Sequence, residues 1–282
     1  MTQVDDPAVA ATIDRAAEVC QALAREAGAI LRDRLHRARD ISFKGAIDMV
    51  TDADHASEEL IATRIREAFP EHRISGEEGA IGATGATRAN QPFGWLIDPL
   101  DGTTNYTHRY PHFAVSIALE YQGEPVTGAV YDPMRDELFA ARLGMGATLS
   151  GEPIHVSETA DLSRALMATG FSYEIDERIH AARLWQVFND RIQGLRRDGA
   201  AALNICWTAC GRLDGYFERP VQSWDMGAGI VIAREAGATI TALEHDRFDV
   251  YTPEALVTNG HLHAATRALI AGILANGARG ER

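Results

Sequence analysis

Between His72 and Val156 the chain is built almost wholly of short segments rich in β-branched and aromatic residues, and helical spacing surrounds that block. The segments HRIS, GWLIDPL, FAVSIALEY, PVTGAVYD and DELFAARL are punctuated by Gly and Pro, which reads as a run of strands. Ahead of them Val9, Ile13, Ala16, Cys20, Leu23, Ala27, Ile30, Leu31 and Leu35 recur at steps of three and four. That stripe predicts an amphipathic helix over 8–38. A second helix covers 55–69 and stops at Pro70, and the Gly/Ala-rich stretch 79–92 reads as a surface loop. Beyond residue 160 the elements alternate. Strands are expected at 165–169, near 194–197, at 212–218, over ATITAL and at 255–258, and helices at 177–191, 200–210, 224–236 and 261–276. The pattern is α/β. Composition does not break along the chain, so two interlocked halves, 1–150 and 151–282, fit better than two tethered domains.

The 282 residues carry 27 basic and 40 acidic side chains, a formal charge of −13. A body so acidic repels phosphate backbones and argues against bulk nucleic-acid binding. If its substrate is an anion, something local must invert the field, and a bound divalent cation is the usual device. Cys20, Cys206 and Cys210 are too few for a disulfide framework; a reducing compartment fits, with buried apolar cysteines at 206 and 210. The first residues lack the basic and apolar regions of a signal peptide, and no apolar run approaches the ~18 residues of a membrane span. The expectation is a soluble, cytoplasmic protein with no membrane partner.

Acidic residues stand where these elements end. In GWLIDPLDGTTNY (94–106) an apolar strand delivers Asp98, and Pro99, lacking an N–H, should stop it there. Gly102 permits a tight turn, so Asp98 and Asp101 can converge beside Thr103 and Thr104. Two carboxylates held together repel unless a proton or a cation lies between them, and hard oxygen ligands suit Mg²⁺. Taken singly, Asp-Pro and Asp-Gly are turn formers. Three further clusters have similar placing: DMVTDAD (48–54), SGEEG (75–79) and SWDMGAG (223–229). Capping explains Asp52 and Asp54, and Asp225 also fits a first-turn acid. Asp48 lies too early to be a cap. Four acidic motifs at strand ends and helix starts together point to a metal centre.

With these motifs on the page, the chain resembles the inositol monophosphatase family of magnesium-dependent, lithium-sensitive phosphatases. The resemblance rests on DMVTDAD, GEE (76–78), WLIDPLDGTTNYTH (95–108) with the following YPHFAVSIAL, and WDMGAGIVIAREAGA (224–238). It implies a layered αβαβα sandwich, two interlocked sheets with helices between and outside. Residues 1–150 would carry most metal ligands and the catalytic threonine, and 151–282 the substrate contacts and the last ligand. Glu77, Asp98 and the Leu100 carbonyl would hold one Mg²⁺; Asp98, Asp101 and Asp225 a second; Glu77 would face a looser third. Asp48 and Thr103 would orient and deprotonate the attacking water, with Glu77 counted among the catalytic groups. Amides around Gly102 and Thr103 would receive phosphate oxygens. Gly199, Ala200, Ala201 and Glu218 would contact a polyol, and Glu78 and Thr51 would stand behind the ligands. Ala200 departs from the family, which often has a hydroxyl residue there. A homodimer is the family habit.

The substrate implied is a phosphate monoester, inositol 1-phosphate first, with histidinol phosphate, fructose bisphosphate and nucleoside bisphosphate as competitors. Thr104 favours the first, because the histidinol-phosphate and nucleotide branches more often carry Lys there. The Asp98-x-x-Asp101 spacing does not fit the haloacid-dehalogenase pattern. No calcium loop or phosphate-binding GxxxxGK[ST] loop is present. Some bacterial relatives act in transcription, and Arg196-Arg197 is the only local basic hint of such a role. His108 and His112 are expected in ordinary polar packing, and His261 and His263 at a helix start facing solvent.

Overall fold

The structure, a computed structural model, describes residues 6–36, 41–43, 49–79, 91–172 and 174–280. The elements run α1 (Pro7–Arg34), β1 (Ile41–Phe43), β2 (Met49–Thr51), α2 (Asp52–Ala68), β3 (Arg73–Gly76), β4 (Phe93–Asp101), α3 (Thr103–Thr107), β5 (Ala114–Tyr121), β6 (Glu124–Asp132), β7 (Glu137–Arg142), β8 (Ala147–Leu149) and β9 (Glu152–Pro153). They continue with β10 (Leu166–Thr169), α4 (Ile175–Asn189), β11 (Gly194–Arg196), α5 (Ala201–Ala209), β12 (Gly215–Glu218), α6 (Ser223–Glu235), β13 (Thr239–Thr241), β14 (Ala255–Thr258) and α7 (His263–Gly280). Strands β3 to β9 form one sheet in sequence order, and the second sheet runs β11-β10-β12-β14-β13.

Side-chain alternation builds the layers. In β4 and β5, Trp95, Ile97, Ile117 and Leu119 join Ile13, Ala16, Leu31, Ile61 and Ile65 of α1 and α2 in one core. Their neighbours Leu96 and Ala118 point to the opposite face, where they meet Leu203, Ile205, Ile230 and Val231 of α5 and α6. The second sheet repeats the device. Ala168, Tyr216 and Val257 face α5 and α6, whereas Met167, Phe217 and Leu256 face Leu184, Phe188 and Ile270 of α4 and α7. A period of two on both sheets therefore gives five layers, α1/α2, sheet, α5/α6, sheet, α4/α7. This is the expected αβαβα sandwich. Helix α6 crosses so close to β6 that a Cβ added at Gly128 would stand 2.8 Å from Ala228 Cα. Among the described residues no helix is long and apolar enough to span a membrane.

Two expectations are corrected. Strand β4 does not stop at Pro99 but runs on to Asp101, with its register against β5 shifting between Asp98 and Asp101. A bulge is one of the few places where a sheet tolerates proline, because no ladder N–H is needed there. His263 does not face solvent. It is buried between the Thr241 hydroxyl at Nε2 and the Thr258 hydroxyl at Nδ1, because α7 begins against the end of β14. His261 is exposed as expected, and Cys206 is buried with Cys210 half-buried beside it, both as free thiols.

Candidate active site

The bulge in β4 turns its end out of the sheet and into a cleft of about 500 Å³. Ser57 of α2 pins it by donating to the Pro99 carbonyl at 2.9 Å. Asp98, just before the bulge, is buried and accepts the Leu100 N–H at 3.0 Å. Asp101, just after it, is received by the start of α5, where its two oxygens take the N–H groups of Ala201 at 2.9 Å and Ala202 at 2.8 Å. A helix N-terminus suits an anion there. Gly102 then adopts φ 93°, and α3 begins at Thr103. A Cβ at Gly102 would lie 3.2 Å from the Gly199 carbonyl and 3.4 Å from Ala200 Cβ, so both a positive φ and close approach of the second half require glycine.

The remaining acids reach the same cleft from other elements. Parallel pairing of β3 with β4 sets Gly76 beside Ile97, and the next residue, Glu77, donates its N–H to the Ile97 carbonyl at 3.3 Å. Asp225 sits in the first turn of α6 and accepts the Gln222 N–H at 2.9 Å, a capping contact that leaves it on the cleft wall. Glu218, the last residue of β12, also lines the cleft and accepts the Tyr216 hydroxyl at 2.5 Å. The competing explanation, a surface ion pair, fails here. Arg219 pairs with Glu177 and Glu244, and Arg212 with Glu137.

Burial pushes the Asp98 carboxyl well above its ordinary range, and the charges of Glu77, Asp101 and Asp225 push it further. Burial raises Asp101 to about 7 against the opposing pull of the Ala201 and Ala202 amides. Burial also raises Asp225 and Glu218. Such a set is unfavourable unless protons or a cation compensate it. Among the described residues no three acidic, histidine or cysteine side chains close on one point as a formed ion shell. Yet Glu77, Asp98, Asp101 and Asp225 share one cleft and are all oxygen donors, a set that fits a hard divalent cation.

Thr103 lines the cleft and is itself largely buried. Its hydroxyl lies 3.1 Å from the Leu100 carbonyl and 3.3 Å from Asp54 Oδ1. Asp48, the expected partner of Thr103, lies outside the described residues. Among the described residues the carboxylate beside Thr103 is Asp54, for which the sequence suggested only a helix cap. It is a cap as well. Thr51 begins α2 as N-cap, and Asp54 Oδ2 takes both the Thr51 N–H at 2.9 Å and the Thr51 hydroxyl at 2.5 Å. Burial raises Asp54 to about 6, opposed by the Thr51 bonds and aided by the nearby charge of Glu78. The available signal was the spacing itself, because a capping box turns its third residue back toward the preceding strand end. Thr51 and Glu78 thus both stand beside Asp54.

Asn105, which the sequence reading passed over, ties the halves together. Its Nδ2 donates to the His112 carbonyl at 2.8 Å and to the Asp198 carbonyl at 2.7 Å. His112 itself is buried edge-on against Trp207, in the expected polar packing. Gly199 and Ala201 line the cleft, and Ala200 is buried against Gly102.

The inositol monophosphatase family model matches residues 13–275. The chain is 44% identical over 240 residues to an inositol-1-monophosphatase of Synechocystis, covering 84% of this chain and 82% of that one. It is 42% identical over 223 residues to the Nus factor SuhB of Vibrio cholerae, covering 77% and 81%. Among solved structures, an inositol monophosphatase from Anabaena superposes with a TM-score of 0.83 at 37% identity, covering 93% and 97% of the two chains. One from Thermotoga maritima gives 0.84 at 31% identity, covering 93% and 99%. Fold, cleft and relatives together define a phosphatase. The chain belongs to the inositol monophosphatase family.

Proposed function

We propose that the protein hydrolyses a phosphate monoester of a polyol, with inositol 1-phosphate the leading substrate and Mg²⁺ the metal. The observation that carries this reading is the meeting, in one cleft, of Asp98, Asp101, Asp225 and Glu77 with Thr103 and Glu218, with Asp54 buried behind the Thr103 hydroxyl. Glu77, Asp98, the Leu100 carbonyl, Asp101 and Asp225 would hold two to three Mg²⁺ ions. Bound there, the ions supply an acidified water and charge neutralisation at the phosphoryl group and the departing alkoxide.

The chain's own residues do the rest. Thr103, with Asp48 as its expected partner in orienting and deprotonating the water, presents a hydroxyl that donates toward Asp54 and the Leu100 carbonyl, so its lone pairs can orient a water toward the phosphorus. Asp54, raised to about 6 by burial, is a better proton acceptor than an ordinary aspartate. The amides around Gly102 and Thr103 would receive phosphate oxygens. Glu218 accepts hydrogen bonds from the leaving-group hydroxyls beside Gly199 and Ala201, and Ala200 offers backbone only. The displacement runs in line, without a covalent intermediate.

The test is phosphate release from a panel of inositol 1-phosphate, histidinol phosphate, fructose bisphosphate and adenosine 3′,5′-bisphosphate, with Mg²⁺ and after EDTA stripping. Equal rates with and without the metal would overturn the metal reading. We also infer a cytoplasmic homodimer inhibited uncompetitively by Li⁺ through the site that includes Asp225. Relatives named Nus factor SuhB support a second reading, a role in transcription, which pull-down of the transcription machinery would test.

A further inference from the structure

Helix α2 carries one buried stripe, and the stripe changes character along its length. Ile61, Ala62 and Ile65 belong to the apolar core shared with α1. Nearer the N-terminus, at the i, i+3 and i+4 spacing that keeps a single face, the same stripe holds Asp54, Ser57 and Glu58, each no more than 1% exposed. Polar side chains thus replace apolar ones where the helix passes the ends of β3 and β4. Each grips a different segment of the cleft. Asp54 Oδ1 faces the Thr103 hydroxyl at 3.3 Å, and the Ser57 hydroxyl donates to the Pro99 carbonyl at 2.9 Å. The Glu58 carboxylate accepts the Glu78 N–H. Every one of these partners adjoins an expected metal ligand: Pro99 follows Asp98, Glu78 follows Glu77, and Thr103 is two residues past Asp101.

Packing alone does not account for Glu58. It is buried near the like charges of Glu78 and Glu77, and among the described residues its Oε1 has no hydrogen-bond partner. A carboxylate so placed costs stability, and an apolar residue of similar volume commonly costs less. What an apolar residue could not supply is the acceptor for the Glu78 N–H. Glu77 donates its own N–H to the Ile97 carbonyl of β4, and Glu58 takes the next N–H from the side of α2. Both peptide units that flank the Glu77 Cα are thereby held, so the direction of its side chain is set by backbone bonds on either side. Ser57 does the same for the bulge between Asp98 and Asp101.

We propose that Ser57 and Glu58 are positioning residues of the metal site, the polar end of α2 fixing Glu77, Asp98 and Asp101 relative to one another before a cation binds. Their contribution is preorganisation of the ligands, so it is read in metal affinity, and for Glu58 it is made at the expense of the metal-free fold. This inference rests on the metal-dependent phosphatase reading above.

The test measures the Kd of Mg²⁺ by calorimetry, and the melting temperature in EDTA, for the native protein, Glu58→Met, Glu58→Gln and Ser57→Ala. Groups that support metal ligands from behind typically contribute about 10- to 100-fold in affinity. Glu58→Met has similar volume and no acceptor. It should weaken Mg²⁺ binding at least about tenfold while the melting temperature in EDTA holds or rises. Glu58→Gln keeps an acceptor for the Glu78 N–H and should recover most of the affinity. Ser57→Ala should weaken binding in the same direction. A merely structural role predicts the reverse pattern, a lower melting temperature in EDTA with the Mg²⁺ Kd unchanged, and that result overturns the proposal. Should Glu58→Met fail to fold, Ser57→Ala decides, and a native Kd there overturns it equally. A native protein that binds no Mg²⁺ overturns the metal reading itself, whereas one that binds it no better than Glu58→Met and Ser57→Ala overturns the positioning role alone.

Discussion

The Thr103 hydroxyl lies 3.3 Å from Asp54 Oδ1, although 49 positions separate the two residues. Asp54 arrives there because Thr51 ends β2 and starts α2, and Thr103 because Gly102 turns the end of β4 into α3. One carboxylate therefore caps a helix with one oxygen and faces a candidate catalytic hydroxyl with the other.

Asp54→Asn should separate these duties. An amide oxygen can still cap α2, so the melting temperature should change little. It is no base, so kcat should fall by about 10²- to 10⁴-fold, with a comparable loss in Thr103→Ala. The double variant should be scarcely worse than either single one, because the two act as a unit. Steady-state kinetics with a thermal melt on each variant check this, and full activity in Asp54→Asn would remove it from the mechanism.

Glu218→Ala should discriminate between leaving groups. Loss of a charge-assisted hydrogen bond should lower kcat/KM for inositol 1-phosphate by roughly 10- to 150-fold. p-Nitrophenyl phosphate has no hydroxyl array and should be barely affected. Equal losses on both would mean that Glu218 supports the cleft itself.

Burial lowers His72 to about 4, with help from the charge of Arg15, and lowers His112 to about 4, with help from Arg135 against Asp198. An unfolded histidine titrates near ~6.5. Between these values the unfolded chain holds more protons, so their contribution to stability grows with pH and is lost as pH falls from about 6.5 toward 4. For His72 the local cause is visible, because its Nδ1 accepts the Trp95 indole N–H at 3.1 Å and cannot do so when protonated. The raised carboxyls of the cleft act in the opposite sense, so the comparison must be between variants. The slope of the urea midpoint against pH across that window should be shifted toward the negative in His72→Gln relative to the native protein, because the rising histidine contribution is removed and the falling carboxyl contribution stays.

Gly128→Ala should destabilise the fold by about 1–3 kcal/mol, the usual cost of overpacking. The obstacle is Ala228 Cα, a backbone atom in a helix that cannot swing aside. Urea unfolding measures it. Because α6 carries Asp225, weaker metal affinity should accompany the lost stability.

Much of the architecture was legible because it is written locally. The stripe of α1, the short strands of the first sheet and the alternation after residue 160 each follow from spacing that a helix or strand must bury. Asp98, Asp101, Glu77 and Asp225 stood out for the same reason, at strand ends and helix starts. Less legible were features whose cause lies in a distant segment. The strand through Pro99 depends on the partner β5 and on Ser57, and the burial of His263 on two threonines from β13 and β14.

By itself the sequence determined the elements and the places where carboxylates leave them, because hydrophobic period, proline, glycine and capping residues act over a few neighbours. Only the tertiary structure decided which of those carboxylates face one another. Pairing β3 with β4, seating the start of α5 on Asp101 and packing α6 against Gly128 are long-range choices made by the burial of whole faces. They brought Asp54 to Thr103, because side chains far apart in a chain meet only when the layers carrying them exclude water together.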